Sequence, residues 1–434
     1  MSCVGLIALK RPFHKIMTGT LKPILGYLML AAGAGVIVSN LDPLGKMIEH
    51  GFHITGVVPN NEAIVAVAQK VLGVETMSIL VVGLLMNLLI ARFTKFKYVF
   101  LTGHHSLFMA CLMSAVLGTA GLSGIELILV GGFLMGAWSA ISPAIGQSYT
   151  SKVTDGDEIA LGHFGSLGYY LSAWVAKYVG KAEESTEDIE IPEKWGFLRD
   201  STLSTALTMI VFYLIAAIAA GSEFVATLSG SMSPYLFAVM SAMNFAVGVA
   251  IVYSGVRMIL GDLIPAFQGI ATKIIPNAIP AVDCAVFFTY APTAVVLGFI
   301  SSFIGGIIGM LILGAVGGVL IIPGLVPHFF CGATAGIYGN ATGGRRGAAV
   351  GAFLNGLAIT FLPALALPVL GQLGFQNTTF GDADFAVMGL VLGNAFEWIG
   401  MAGIYGVVVI AALVLIIPNF IKTKGKVINY VEEE

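Results

Sequence analysis

Long apolar stretches recur along most of this chain, separated by short polar segments. An α-helix of about 20 apolar residues is long enough to cross the hydrocarbon core of a bilayer. The stretches near this length are 21–41, 75–93, 98–120, 125–147, 205–221, 235–257, 288–317, 319–340, 347–370 and 400–419. They predict an all-α polytopic membrane protein with about 10 to 11 transmembrane helices.

Glycine and proline interrupt several of these stretches, and the chain contains 55 glycines and 16 prolines. Small residues let transmembrane helices approach closely, and broken helices are tolerated where protein or a cavity surrounds them. We therefore expect tight packing together with discontinuous or re-entrant helices. The N-terminal "MSCVGLIALKR" is too short to span and resembles no cleaved signal. We expect it to be the inner half of a first span that lacks its outer half.

Composition supports a membrane protein and excludes several other classes. Hydrophobic residues make up 57% of the chain and charged residues only 10%, whereas soluble domains carry about 25% charged residues. A net charge of −3 gives no sign of a nucleic-acid partner. Nucleotide-binding loops such as G-x-x-x-x-G-K-[ST] are absent from the sequence, so we expect neither an ATP-driven pump nor a cofactor. The four cysteines are dispersed, which is typical of buried small hydrophobes rather than of disulfides or a metal cluster.

Basic residues gather in alternate loops and predict the orientation of the chain. Lys and Arg cluster at 10–15, 92–97, 152–199, 345–346 and 422–426, and they are absent from the loops 121–125, 222–234 and 371–384. Because cytoplasmic loops carry the excess of Lys and Arg, we predict that the basic loops and the C-terminus are cytoplasmic.

The longest polar segment, "KAEESTEDIEIPEKWGFLRDS" at 181–201, divides the chain into halves of similar plan, 1–180 and 202–434. Such doubling indicates inverted repeats within one integral membrane domain that covers 1–434. Two interpretations of the segment stay open. It is either a solvated connector or a docking surface for a cytoplasmic partner, as its concentration of charge suggests.

Two adjacent histidines interrupt the apolar stretch "YVFLTGHHSLFMACLM". Ionisable groups at bilayer depth cost at least about 2.5 kcal/mol, so each one suggests a functional site. The alternative for His104 and His105 is a hydrogen-bonded interior pair. A zinc site is disfavoured because neighbours on a helix point about 100° apart and no further ligand is suitably spaced. We predict that His104 binds substrate and that His105 packs or caps.

His163, in "LGHFGS", and Asp283, in "IPAVDCAVFF", are the other ionisable residues in apolar surroundings. A carboxylate at Asp283 would accept hydrogen bonds from the hydroxyls of a sugar; its alternative is an ion pair with another helix. Glu397 is a weaker candidate, and we expect His328 and Cys331 to be packing positions. Cys284 is an unfavourable nucleophile, because an acidic neighbour and apolar surroundings both disfavour its thiolate.

Six stretches, in order along the chain, resemble the membrane (IIC) subunit of the ascorbate-type sugar phosphotransferase system. They are "GTLKPILGYLMLAAGAGVI", "LTGHHSLFMACL", "KVTDGDEIALGHFGSLGYY", "KAEESTEDIEIP", "VDCAVFFTYAPTAVVLGF" and "IIPGLVPHFFCGATAGIYG". The resemblance implies a homodimeric permease of the bacterial inner membrane with about eleven spans in two inverted repeats. It also implies that a separate cytoplasmic IIB protein, carrying a phosphocysteine charged by IIA, phosphorylates the sugar.

The resemblance further implies substrate contacts at His104, His163 and Asp283, and at Asn61 and Glu62 in the outer loop "GVVPNNEAI". It extends the substrate-binding segments to the residues that follow the two histidines, which are His105, Ser106, Leu107, Phe108 and Phe164. It implies glutamines where this chain has Phe108 and Phe164, so we expect an ascorbate-like sugar or a related polyol or sugar acid. The competing hypothesis is an ion-coupled secondary transporter of a small organic anion or polyol. In that case Asp283 and His163 would carry protons.

Overall fold

The protein is described by a computed structural model, in which residues 2–53, 56–57, 59, 61–156, 158–189, 201–371 and 379–420 are described. The helices are α1 (Ser2–Ala8), α2 (Phe13–Gly51), α3 (Asn61–Phe93), α4 (Gly103–Thr119), α5 (Gly124–Val153), α6 (Ser166–Val179), α7 (Ser201–Ala220), α8 (Ser222–Ser229), α9 (Pro234–Lys273), α10 (Pro292–Ala315), α11 (Leu325–Gly371), α12 (Ala383–Ile399) and α13 (Met401–Phe420). Short strands are β1 (Tyr98–Phe100), β2 (Ala160–Leu161) and β3 (Ile279–Val282), and a 3₁₀ helix covers Cys284–Thr289.

The structure confirms an all-α polytopic membrane protein. Seven helices within the described residues are long and apolar enough to cross a bilayer. A bent pair, Thr205–Ala220 with Ser222–Ser229, turns by 117° and has the form of a broken or re-entrant span. The stretch 98–120 is not one continuous span, because it divides into β1 and the 17-residue α4. The predicted span 347–370 and the part of 319–340 from residue 325 onward both belong to α11, so the structure joins two predicted spans in one bent helix.

Helix α11 bends between its two halves at Gly343 and Gly344. Gly344 has a φ of +58°, a left-handed conformation that costs glycine little. A Cβ atom at this position would lie 2.2 Å from the carbonyl oxygen of Lys181 and 2.3 Å from that of Glu184. The bend therefore needs glycine both for its backbone angle and for its contact with the segment after α6.

The described part of the polar segment, 181–189, is bound to the helices rather than free in solvent. The Glu187 carboxylate accepts hydrogen bonds from the backbone N–H groups of Thr293 and Ala294 at the start of α10. Asn340 of α11 accepts the N–H of Thr186, and the carbonyl of Glu184 accepts the N–H of Arg345. The Glu187 carboxylate thereby stabilises the N-terminus of α10, and docking of a partner by this segment stays a prediction. The segment's residues 190–200 lie outside the described part.

The three short strands form a parallel sheet in the order β1-β3-β2. Tyr98 pairs with Ile279, and Ala160 pairs with Ala281. The helical pattern did not predict this sheet. Parallel strands align their carboxyl ends at one edge, so the residues that follow β1, β2 and β3 are brought together. Two of the strands come from the chain before residue 181 and one comes from the chain after 201.

Candidate functional site

The edge of the sheet brings together the three residues that the sequence singles out most strongly. His104 follows β1 in the first turn of α4, His163 follows β2, and Asp283 comes directly after β3. All three line a cavity of about 630 Å³ between this edge and helix α2. Polar side chains that point into a cavity inside an apolar bundle are suited to binding a polar solute.

His104 and Asp283 form a pair at the cavity wall. The His104 Nε2 atom lies 3.3 Å from Asp283 Oδ2, and the two side chains are 43% and 15% exposed. The other carboxylate oxygen, Oδ1, accepts the backbone N–H of Ala285 at 3.1 Å and caps the 3₁₀ helix. The local turn therefore fixes Asp283 by one oxygen, while the second faces His104 and the cavity.

His105 and His163 are buried behind this pair, and their ring centroids are 3.7 Å apart. The Nδ1 atom of His105 accepts the backbone N–H of Phe164 at 3.3 Å, and the Nδ1 atom of His163 accepts that of Gly165 at 3.1 Å. Because a backbone N–H can only donate, both Nδ1 atoms must be unprotonated. Each neutral ring then carries its proton on Nε2 and can donate to an oxygen. His105 lines the cavity as well as packing, which widens the role expected for it.

These tautomers bear on whether the cluster could hold a metal. Ligand atoms of His105, His163 and Asp382 lie within 4.8 Å of one another, as do those of His163, Asp283 and Cys284. A histidine ligates through an unprotonated nitrogen and usually donates its other N–H to a second group. Here both Nδ1 lone pairs already accept backbone N–H groups, and Nε2 is protonated. The histidines are therefore arranged as hydrogen-bond donors, not as metal ligands.

Asp382 is a site residue that sequence reasoning missed. It lies just before α12, lines the cavity, and its side chain is 6% exposed. Asn61 Nδ2 donates to its Oδ2 at 2.6 Å, and the Cys331 thiol donates to its Oδ1 at 2.9 Å. Its sequence signal is an aspartate close to an apolar helix, but 371–384 lacks Lys and Arg and is predicted to be an outer loop, where a carboxylate is ordinary.

The remaining predicted residues divide between the cavity and the core behind it. Asn61 and Phe108 line the cavity. Ser106 is buried, and its hydroxyl donates to the carbonyl of Thr102. Leu107 is partly buried and packs against the core, and Phe164 is buried against Phe100 with ring centroids 4.6 Å apart. The side chain of Glu62 lies outside the described residues.

Helix α2 forms the facing wall and carries charges that were also missed. Asp42, Lys46 and Glu49 line the cavity at helical spacing, and Lys46 Nζ lies 2.8 Å from Asp42 Oδ2. The sequence shows these residues near the outer end of the first span, where charges are ordinary. Their presence makes both sides of the cavity polar.

Carboxylate acceptors and imidazole donors around one cavity, inside a bundle of apolar helices, are suited to a small oxygen-rich solute. Residues 1–384 match the family of sugar-specific permease components of the phosphotransferase system, EIIC-GAT. The match covers most of the chain, and the protein belongs to this family.

A curated relative agrees with this assignment. The ascorbate-specific PTS system EIIC component of Mycoplasma pneumoniae is 25% identical over 402 residues, which covers 79% of this chain. The chain spans about 60% of the length of that relative.

Proposed function

We propose that this protein is the permease subunit of a phosphoenolpyruvate-dependent sugar phosphotransferase system. It would bind an ascorbate-like sugar, or a related polyol or sugar acid, in the cavity at the sheet edge. The observation that carries the proposal is the convergence of His104, His163 and Asp283 on one cavity. Hydroxyl groups can donate to the carboxylate and accept from the imidazole N–H groups.

The chemistry of phosphoryl transfer is assigned to partner proteins. Cys111, Cys284 and Cys331 are buried, so a phosphodonor could not reach them without rearrangement. A separate IIB protein with a phosphocysteine, itself charged by IIA, would phosphorylate the sugar that this subunit presents. The protein would act as a homodimer in the bacterial inner membrane with its C-terminus in the cytoplasm. Inverted repeats at 1–180 and 202–434 remain part of the proposal.

Two aromatic residues bear on which sugar is bound. Phe108 lines the cavity beside His104, with ring centroids 5.8 Å apart, whereas Phe164 is buried in the core. Phe108 therefore offers an apolar surface to the substrate where a glutamine would offer an amide. We expect a sugar or polyol with one less polar face, which an aromatic ring can cover.

The test is uptake into vesicles that contain the full chain, with and without phosphoenolpyruvate and the soluble partner proteins. A panel of ascorbate, hexitols and sugar acids is supplied outside, and the chemical form of the imported solute is determined. We expect uptake only with phosphoenolpyruvate and recovery of the solute as its phosphate. Uptake of unmodified solute driven by an ion gradient would instead support a secondary transporter.

A further inference from the structure

We propose that Asp382 is a second substrate-binding carboxylate and that Asn61 is the residue that positions it. The inference rests on the proposed function, because it concerns the same cavity. It assigns direct contact with the substrate to Asp382, which the sequence analysis does not single out, and it gives Asn61 an indirect role.

The carboxylate of Asp382 is buried, yet it can accept more hydrogen bonds than the described residues give it. Two carboxylate oxygens offer about four acceptor positions, and the described residues fill two of them through Asn61 and Cys331. His163 lies 3.8 Å away, but its nearest atom is Nδ1, which is itself an acceptor. A buried charge is costly unless donors surround it. Hydroxyl groups of a bound substrate would supply the missing donors.

Both polar atoms of the Asn61 side-chain amide already form hydrogen bonds. Its Nδ2 donates to Asp382, and its Oδ1 accepts the backbone N–H of Gly381 at 2.9 Å. The side chain thus holds two consecutive residues before α12. A group engaged in this way orients its neighbour more readily than it binds a sugar, and such supporting contacts keep a binding group in a productive geometry.

The start of α12 is fixed independently by Asp384. Its buried carboxylate accepts hydrogen bonds from the Ser166 hydroxyl at 2.7 Å, from the N–H of Leu167 at 2.9 Å and from the Trp138 indole at 3.2 Å. Its own N–H donates to the carbonyl of Phe164 at 2.9 Å. Asp382 is therefore presented from a rigid junction between α12 and the segment that carries His163.

Asp283 and Asp382 approach His163 from different elements. A ring nitrogen of His163 lies within 4.8 Å of a carboxylate oxygen of Asp283, and a ring nitrogen of His163 also lies within 4.8 Å of a carboxylate oxygen of Asp382. Because each hydroxyl carries one hydrogen to donate, a substrate in front of His163 needs at least two hydroxyls to donate to both carboxylates. The geometry points to a polyhydroxylated ring or chain and disfavours a solute with a single hydroxyl.

The experiment measures binding to the full chain in lipid nanodiscs, with L-ascorbate and a hexitol as probes. The probe that binds is then replaced by its single-deoxy analogues. Asp382→Asn should weaken binding of the parent about 10- to 100-fold, as expected for loss of a hydrogen bond to a charged group. For one deoxy analogue the same substitution should change affinity by less than about threefold, because the contact is already absent. Asp188→Asn, an exposed carboxylate outside the cavity, is the matched control.

A second variant tests the same contact in case Asp382→Asn does not fold. Asn61→Ser keeps the carboxylate but removes its support, so a loss of about 3- to 10-fold that disappears on the same deoxy analogue is expected. An unchanged affinity in Asp382→Asn, or an equal loss on the parent and every analogue in both variants, would overturn the inference. If His104→Ala still weakens binding of the parent sugar in that case, the proposed function survives. Absence of saturable binding by the unmodified protein would overturn both.

Discussion

Helices α4 and α11 each carry a histidine in their first turn, yet the two residues have opposite surroundings. His104 is 43% exposed and faces Asp283 across the cavity wall. His328 is 2% exposed, and its Nδ1 atom lies 2.9 Å from the hydroxyl of Ser302 on α10. An ionisable residue in an apolar helix suggests a functional site, but a neighbouring hydroxyl can satisfy it instead. What distinguishes the two positions is the cavity, and the packing role expected for His328 is confirmed.

The largest effect is expected at Asp283, the partner of the exposed histidine. Asp283→Asn removes the charge that faces His104 but keeps an oxygen to cap the N–H of Ala285. Sugar affinity should fall about 100-fold or more, because charged hydrogen bonds are the strong ones. Calorimetric titration in nanodiscs measures this, with the unfolding temperature as a check that the fold is intact. Normal affinity in a folded variant would remove Asp283 from the site.

His328→Ala should act on stability instead. It leaves Ser302 without its partner and opens a void beside Gly306, where the imidazole ring now packs closely. We expect a loss of about 2–4 kcal/mol in the free energy of unfolding, measured by denaturant titration in detergent. Sugar affinity should change less than about threefold. A variant of normal stability that no longer binds sugar would mean that His328 belongs to the site and that the comparison with His104 fails.

His104→Ala should have the opposite effect to His328→Ala, because it should weaken sugar binding, by about 1–3 kcal/mol, rather than stability. Its exposed ring contributes little to packing, so the unfolding free energy should stay within about 0.5 kcal/mol of that of the unmodified protein. Binding and unfolding are measured on the same preparation. If stability falls while affinity holds, the interior-pair interpretation of His104 and His105 is the correct one.

The smallest effect is expected far from the cavity, at the cap of the helix that carries Ser302. Glu187→Ala removes acceptors for the N–H groups of Thr293 and Ala294 and should cost about 1 kcal/mol of stability. Glu183→Ala, an exposed carboxylate of the same segment, is the control and should cost nothing measurable. Equal stabilities in the two variants would show that Glu187 does not stabilise the N-terminus of α10.

Much of the fold could be predicted because length and hydropathy decide which helices can span. The sheet could not, since strands of two to four residues carry no readable pattern and their pairing joins Tyr98 to Ile279 across the chain. His104, His163 and Asp283 stood out because charge is rare in their surroundings. Asp382 did not, because its polarity is ordinary for a loop and only the folded chain brings it beside Asn61.

The most direct test is a cryo-electron microscopy structure of the protein in nanodiscs with the sugar identified by the uptake assay. We predict density for the sugar in the cavity, with oxygens within about 3.2 Å of Asp283, of the exposed His104 ring and of Asp382. Density bound elsewhere, with this cavity filled only by solvent, would contradict the assignment of the sheet edge as the sugar-binding site.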